Sequence, residues 1–543
     1  MKRWIPFCLI GLLFLGGAAP ARDVMEVEIL FTSDVHGHIA KDDATFLNPN
    51  FPPPLGGGAS IADYVREVRD KAAREGRAVL LFDDGDIFQG TPLGTNTKGT
   101  AIFEFMNDMG YTACVLGNHD FDLGWENTKR LADMANFPVL GQNVLDAETK
   151  KTVDWVDPSF FIQVEDLKIA VVGFITESTA NMSFGKNLEG IAFAPIHEML
   201  GPEVQRVRGQ GADVVLALVH AGLPYKPELS NEYRKMLQRE AEGGLPHWGM
   251  SAMELAHITP GIDAMFSGHT HQGYDTPWED PITHTVVFEP YGNGSSIGHV
   301  TLLVDRQTKQ MIGYRTHSDR GSLVTLFEEQ IWPDPAMDQV IEEKVSKAEA
   351  GLDVVVGQTE VLLQRGSANN ALMGFVMADA FRVELNADFA IQNTGGVRAD
   401  ISPGDITERH LLGVSPFGNQ MVLVNLKGQM LRGMMEDKLR GTAGGIFISG
   451  GKVAYDITRP DGSRIVEFTI GGQPVDDEKT YKVAMTNYLA EGNSGMGVLR
   501  EALQSEDLMY TGYTDLEVLR NYIKRLGTLN PKNDGRWVKV SPS

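Results

Sequence analysis

Val27-Glu-Ile-Leu-Phe-Thr-Ser-Asp-Val-His36 begins as an apolar run and ends in side chains able to hold a metal or a phosphate. Val27 to Phe31 reads as a buried strand, and Thr32, Ser33, Asp34 and His36 follow at its carboxyl end. The same arrangement recurs along the chain. Ala78-Val-Leu-Leu-Phe82 leads to Gly85-Asp86, Ala113-Cys-Val-Leu116 to Gly117-Asn-His-Asp120, Asp213 to Val219 to His220, and Asp263-Ala-Met-Phe266 to Gly268-His-Thr-His271. A further strand is expected over Lys168 to Gly173, and helices over Ala59 to Glu75 and Asn127 to Ala135, so the pattern is α/β. In open α/β sheets ligands collect outside the carboxyl ends of the strands, so the five polar segments are expected to converge.

Convergence would bring together Asp34, His36, Asp86, Asn118, His220, His269 and His271, a carboxylate, imidazole and amide set suited to Mn, Fe, Co or Zn. These donors are too many for one four- to six-coordinate ion but fit two ions sharing a carboxylate, with Asp86 as the natural bridge. Metals held ~3.5–4 Å apart lower the pKa of a bridging water and clamp a phosphoryl group, the logic of phosphate-ester hydrolysis. The bland alternative is a chance cluster of polar strand ends. His38, His197, His247, His257, His284, His299, His317 and His410 are read as structural or solvated, Asp83 and Asp84 as solvated strand-end carboxylates, and Asp120 as a supporting or capping group.

The 543 residues carry 48 Lys+Arg against 72 Asp+Glu, a formal charge of −24 that argues against an electrostatic nucleic-acid binder. Domains of roughly 100–200 residues imply two or more here. Lys2 and Arg3, an apolar run from Trp4 to Leu15 and the small-residue pattern Ala19-Pro20-Ala21 read as a signal peptide over 1–21, since the run is shorter than the ~20 residues that span a bilayer. Cleavage would leave one cysteine, Cys114, and no internal disulfide, so the fold must rest on its core. A periplasmic or secreted protein without a lasting membrane anchor is expected, and a monomer is the simplest state. Pro333 and Pro335 break the chain, and Ile341, Val345 and Ala348 mark an exposed amphipathic linker helix. A second unit begins near Gly351, with helices over Leu372 to Leu385 and Leu516 to Leu526 and glycine-rich turns between.

The order D-x-H, G-D, G-N-H-D, H and G-H-x-H resembles the calcineurin-like metallophosphoesterase superfamily. Gly117-Asn-His-Asp-Phe-Asp-Leu-Gly124, joined to the elements of the second unit, resembles the secreted 5'-nucleotidase family, which includes UDP-sugar hydrolases and 2',3'-cyclic-nucleotide phosphodiesterases. The resemblance implies a four-layer metallophosphoesterase sandwich over 22–330, a linker helix over 331–350 and a smaller α/β substrate-binding domain over 351–543. It implies one ion held by Asp34, His36, Asp86 and His271, and a second by Asp86, Asn118, His220 and His269. His119 would face the phosphoryl group, oriented by Asp122. In the second unit it implies anionic-substrate contacts from Arg365 and from Asn393-Thr-Gly-Gly-Val-Arg398, hence Asn393, Gly396 and Arg398. Phe417 and Asn419 would belong to the base-stacking segment, with Tyr488 as the second aromatic face.

Two departures stand out. Ser494 occupies the place of the family's ribose-gripping aspartate, and a hydroxyl replaces a two-oxygen acceptor. Lys226 to Trp248 reads as an insertion able to cover the site or contact a partner. The leading expectation is an exported two-metal 5'-nucleotidase acting on a small nucleotide rather than nucleic acid. Its alternatives are a cyclic-nucleotide phosphodiesterase, a nucleotide-sugar hydrolase, a sulfur-oxyanion hydrolase, and, outside catalysis, a metal-containing nucleotide-binding module. Movement of the two domains about Asp338 to Ala350 is expected.

Overall fold

The computed structural model describes residues 23–44, 47–48, 51–183, 185–224, 228–366, 371–440, 445–503 and 508–540. The expected signal segment lies outside them. The first unit contains two large sheets. One runs in the order Met311–Thr316, Ser296–Asp305, Val24–Thr32, Ala78–Asp83, Ala113–Val115, Val139–Leu140. The other runs Trp278–Glu279, Val286–Phe288, Ala264–Ser267, Val214–His220, Leu167–Ile175, Ser159–Val164.

Side-chain alternation turns these sheets into a layered stack, because successive residues of a strand face opposite sides. Val214, Leu216 and Leu218 join Val27, Ile29 and Phe31 in the core between the sheets, while Val215, Ala217 and Val219 face an outer helical layer. Leu30, from the other face of the first strand, packs with Ile61, Val65 and Ile102 of the opposite helical layer. Helix, sheet, sheet, helix is the resulting order. Strands covered on both sides must be apolar along their whole length, and Val214–His220 is buried throughout. Phe31 and Phe266, ring centroids 5.0 Å apart, join the sheets directly.

Val24–Thr32, Ala78–Asp83 and Ala113–Val115 are parallel in register, as are Leu167–Ile175, Val214–His220 and Ala264–Ser267. Their carboxyl ends therefore open on one edge of the sandwich. The helix over Leu229–Ala241 lies within the expected insertion and packs Leu229, Tyr233, Met236 and Leu237 onto the outer layer of the second sheet, while 225–227 lie outside the described residues.

The linker differs from the expectation of an exposed helix beginning after two breaking prolines. Pro335 is the first residue of the Pro335–Ala348 helix, where its missing N–H costs nothing, and Asp334 caps that end. Ile341 is buried in the first unit's core with Met337, Val345 and Ala348 packed beside it, and Lys41 and Arg66 pair with Asp338 and Asp334. The helix thus belongs to the first unit.

Beyond it, a five-stranded sheet runs Ile446–Ser449, Phe389–Asn393, Thr480–Thr486, Gln420–Lys427, Met509–Thr514. Helices Leu372–Glu384 and Asp515–Leu526 share its core through Phe375, Phe381, Val518, Leu519 and Ile523. The second helix starts on a capping box between Thr514 and Glu517.

Candidate metal centre

The strand ends bring the expected donors to one place. Asp34, His36, Asp86 and His271 offer ligand atoms within 4.8 Å of one another, and so do Asp86, His220 and His269, so the cluster is dinuclear with Asp86 common to both halves. Asn118 joins the second half through its side-chain oxygen, 3.3 Å from His220 Nε2. Asp34, His36, Asp86, Asn118 and His220 are all buried.

Backbone groups fix the rings. His36 Nδ1 donates to the Gln89 carbonyl and His220 Nδ1 to the Asp84 carbonyl, each at 2.6 Å. Each ring then presents the Nε2 lone pair to the centre, the tautomer a metal requires. His220 Nε2 faces acceptor oxygens of Asp86 at 3.2 Å and Asn118 at 3.3 Å. Acceptors facing acceptors in a buried space demand positive charge between them. Without a metal a proton takes that role: burial works against the His220 imidazolium, yet the Asp86 carboxylate raises it to about 10. Burial draws His269 down to about 3, so it stays neutral and available as a donor. This donor set fits divalent cations.

Holding the donors strains the backbone. Asp34, His36, Asp86, His269 and His271 have φ of 50°, 49°, 56°, 78° and 57°. Left-handed backbone costs a non-glycine residue about 1–2 kcal/mol. Gly117 is required for space, since an added Cβ would fall 2.2 Å from the Asp86 nitrogen.

Three carboxylates behave differently from their sequence reading or were not singled out by it. Asp83 and Asp84 are buried rather than solvated. Asp83 accepts from Thr32 Oγ1 at 2.6 Å and from the Gly85 N–H, whereas neither Asp84 side-chain oxygen has a partner among the described residues. The preceding strand continues through Asp83, and Asp84 follows it with its N–H bonded to the Thr32 carbonyl at 2.9 Å. Glu289, absent from the sequence reading, accepts from the Leu223 N–H at 2.7 Å and from Thr270 Oγ1, tying the loop after His220 to the one bearing His269 and His271. A lone glutamate after a strand carries no sequence signal of that role. Asp120 accepts from the Ile87 and Gly117 N–H groups, the supporting role expected of it.

His119 stands beside this cluster, its ring centroid 5.4 Å from that of His36, with Nδ1 bonded to Asp122 Oδ2 at 2.7 Å. Burial opposes its protonation, but Asp122 and Asp86 outweigh burial and raise its pKa.

The second unit closes over the same edge. Phe417 stacks on His119 with centroids 5.6 Å apart, the Arg398 guanidinium lies over the Phe417 ring at 5.6 Å, and Gln89 Nε2 reaches the Pro416 carbonyl at 3.4 Å. Arg365 donates to the Arg398 carbonyl at 2.9 Å. Burial and then Arg365 lower the Arg398 guanidinium, while Asp86, Asp122 and Asp34 attract it. Asn393 Nδ2 donates to Ser494 Oγ at 3.1 Å, and Tyr488 is also hydrogen-bonded to Ser494. Gly396 is buried in the turn after Phe389–Asn393. Asn419 gives its amide to Asp515 at 2.6 Å. Of the stretch after Arg365, residues 367–370 lie outside the described residues.

Comparison with known proteins gives a consistent picture. The calcineurin-like phosphoesterase family model matches residues 27–273, and the 5'-nucleotidase C-terminal domain model matches residues 355–501. A 5'-nucleotidase of Diplobatis ommata is 28% identical over 588 residues, covering 97% of this chain and 92% of that protein. The trifunctional nucleotide phosphoesterase YfkN of Bacillus subtilis is 27% identical over 577 residues, covering 96% of this chain but only 35% of that longer protein. The crystal structure of a 5'-nucleotidase precursor from Thermus thermophilus has the same fold, with a TM-score of 0.79 at 24% identity, covering 96% of this chain and all of that one. No helix among the described residues is long and apolar enough to cross a membrane.

Proposed function

Because the chain belongs to the secreted 5'-nucleotidase family of calcineurin-like metallophosphoesterases, we propose that it is an exported enzyme that hydrolyses nucleoside 5'-monophosphates to nucleoside and phosphate. The observation that carries the reading is the meeting of two phosphate-directed sets at one edge: the dinuclear donor cluster of the first unit, and Arg398 stacked over Phe417 from the second.

Asp34, His36, Asp86 and His271 would hold one divalent ion, and Asp86, Asn118, His220 and His269 the other, with Mn, Zn, Fe and Co all compatible with these donors. When bound, the ions supply Lewis-acid polarisation of the phosphoryl group and activate water. The chain's own groups do the rest. His119, held by Asp122, carries a proton toward the charge that develops on the phosphoryl or leaving oxygen. Arg398 and Arg365 neutralise the phosphate, and Phe417 and Tyr488 supply aromatic faces for a base. We place the domain limits at 22–330 and 351–543, with the connecting helix over 331–350 packed on the first.

The direct test is phosphate release by the purified mature protein, loaded with Mn or with Zn, from 5'-AMP and ribose 5-phosphate side by side, with His119→Ala as control. Strong preference for 5'-AMP that disappears in the control supports the reading. Equal or negligible rates on both substrates reject it.

A further inference from the structure

Away from the metal centre, the second unit carries a cleft of about 430 Å³ lined by Asp379, Arg382, Ser449, Lys452, Thr469 and Arg536. Strand register places it. Asn393, which leads into the glycine turn before Arg398, pairs with Ile446, whereas Ser449 pairs with Ala390 near the opposite end of the same two strands. The cleft therefore lies at the other end of these two strands from the turn that leads to Arg398.

Its cations are not equivalent. Arg536 is consumed by the protein: it bonds Asp379 at 2.7 Å and Asp534 at 2.7 Å, and covers the Phe375 ring at 4.7 Å. Asp379 in turn accepts from Ser449 Oγ. Arg382 is different. Its Nε donates to Ser449 Oγ at 2.8 Å, which fixes the guanidinium plane, and among the described residues its two terminal nitrogens make no hydrogen bond or ion pair. The turn beside it is glycine because its φ is 86° and an added Cβ on Gly450 would fall 2.3 Å from the Asp388 carbonyl oxygen, with Arg382 Cδ next at 2.6 Å. The same lining holds Lys452, paired with Glu467 at 2.8 Å, and Thr469, its neighbour in the strand register. With Arg536 offset by Asp379 and Asp534 and Lys452 by Glu467, the oriented Arg382 guanidinium is the uncompensated cation of this lining among the described residues, a fork suited to an oxyanion.

We propose that this cleft binds a tetrahedral oxyanion of the phosphate class, with the Arg382 terminal nitrogens as its principal donors and Lys452 and Thr469 completing the contact. Donors arriving from different directions suit a tetrahedral anion better than a planar carboxylate.

The test is calorimetric titration of the metal-loaded protein with inorganic phosphate. Two classes of site are expected, one lost on chelating the metals and one retained. Arg382→Gln should weaken the retained class at least about tenfold, with 5'-AMP turnover and thermal stability unchanged. Lys452→Gln, an exposed position that does not threaten folding, should weaken it about two- to fivefold. A single class of phosphate site, a retained class indifferent to both substitutions, or displacement of phosphate by equimolar chloride or acetate would overturn the proposal.

Discussion

At the metal centre most donors are buried, and the rings of His36 and His220 are pinned by a backbone carbonyl; in the facing pocket of the second unit, Arg398, Phe417, Tyr488 and Ser494 are only partly buried and lean on one another and on His119. The first region spends backbone strain at five donors to hold a geometry before any ligand arrives. The second holds its groups by side-chain contacts that a substrate can replace. Phe417 stacked on His119 is such a contact: a nucleotide seated between the metals and the aromatic faces would have to displace or slide along it. The difference separates a part that must be rigid for chemistry from a part that adapts to what it binds.

The strongest way to break this contrast is at Asp86, which serves both halves of the cluster. Asp86→Ala should lower kcat/KM by about three orders of magnitude or more, the several kcal/mol that metal polarisation contributes. Metal content should fall well below two equivalents by elemental analysis. Chelation of the wild type should produce the same loss, reversed by adding metal back. A variant that keeps both metals and most of its rate would mean that the shared carboxylate is not the bridge.

His119 comes next. Replacing it with alanine should reduce kcat about 10²–10⁴-fold with little change in metal content. Asp122→Asn keeps shape but loses the charge that fixes and supports the ring, and about a tenfold loss is expected. Equal losses for the two variants would make Asp122 more than a positioning residue. At the facing pocket the effect should move from kcat to KM. Phe417→Ala removes one aromatic face, worth about 1–3 kcal/mol per stacked base, so the KM for 5'-AMP should rise about five- to a hundredfold while hydrolysis of ribose 5-phosphate changes little. A similar loss on both substrates would assign Phe417 to positioning His119 instead of to the base.

The same contrast explains what could be read in advance. Short, valine-rich apolar runs such as Val214 to Val219 fit strands covered on both faces, and the polar residue after each run then sits at the strand's carboxyl end, so the sandwich and its edge were legible. Backbone groups carry no identity in a sequence, which is why the Gln89 and Asp84 carbonyls that set the histidine tautomers were invisible. Asp83 and Asp84 misled because paired carboxylates usually lie in water, whereas here the strand runs one residue further to include Asp83, and a backbone bond to Thr32 holds Asp84 beside it. Pro335 misled for the opposite reason, since a proline that ends most helices is also a favoured first residue. That helix packs on the first unit through Met337, Ile341, Val345 and Ala348. In the second unit the aromatic and arginine positions were legible by resemblance, but their pairing across the two units depends on contacts far apart in sequence.

The smallest effect concerns a buried carboxylate outside the metal cluster. Asp515 is fully buried and accepts from Asn419 at 2.6 Å and from its neighbour Leu516 at 2.8 Å. Burial raises it, the bond from Asn419 opposes, and the result is about 6. In the unfolded chain an aspartate titrates near 3.9. Between about pH 4 and 6 the unfolded state therefore gives up a proton that the native state keeps, so stability falls as pH rises through that window and the penalty is complete above it. Asp86, also buried, escapes this penalty because histidines and, in the holoenzyme, cations stand against it. Asp515→Asn removes the charge and keeps an oxygen for Asn419. A shift of about two units corresponds to ~3 kcal/mol at most, and the weakened Leu516 bond offsets about 1 kcal/mol. Thermal melts at pH 7.5 should place the variant a few degrees above the wild type, with the advantage gone at pH 4. An equal difference at both pH values would mean that Asp515 is ionised throughout, held, as Asp86 is, by compensating charge.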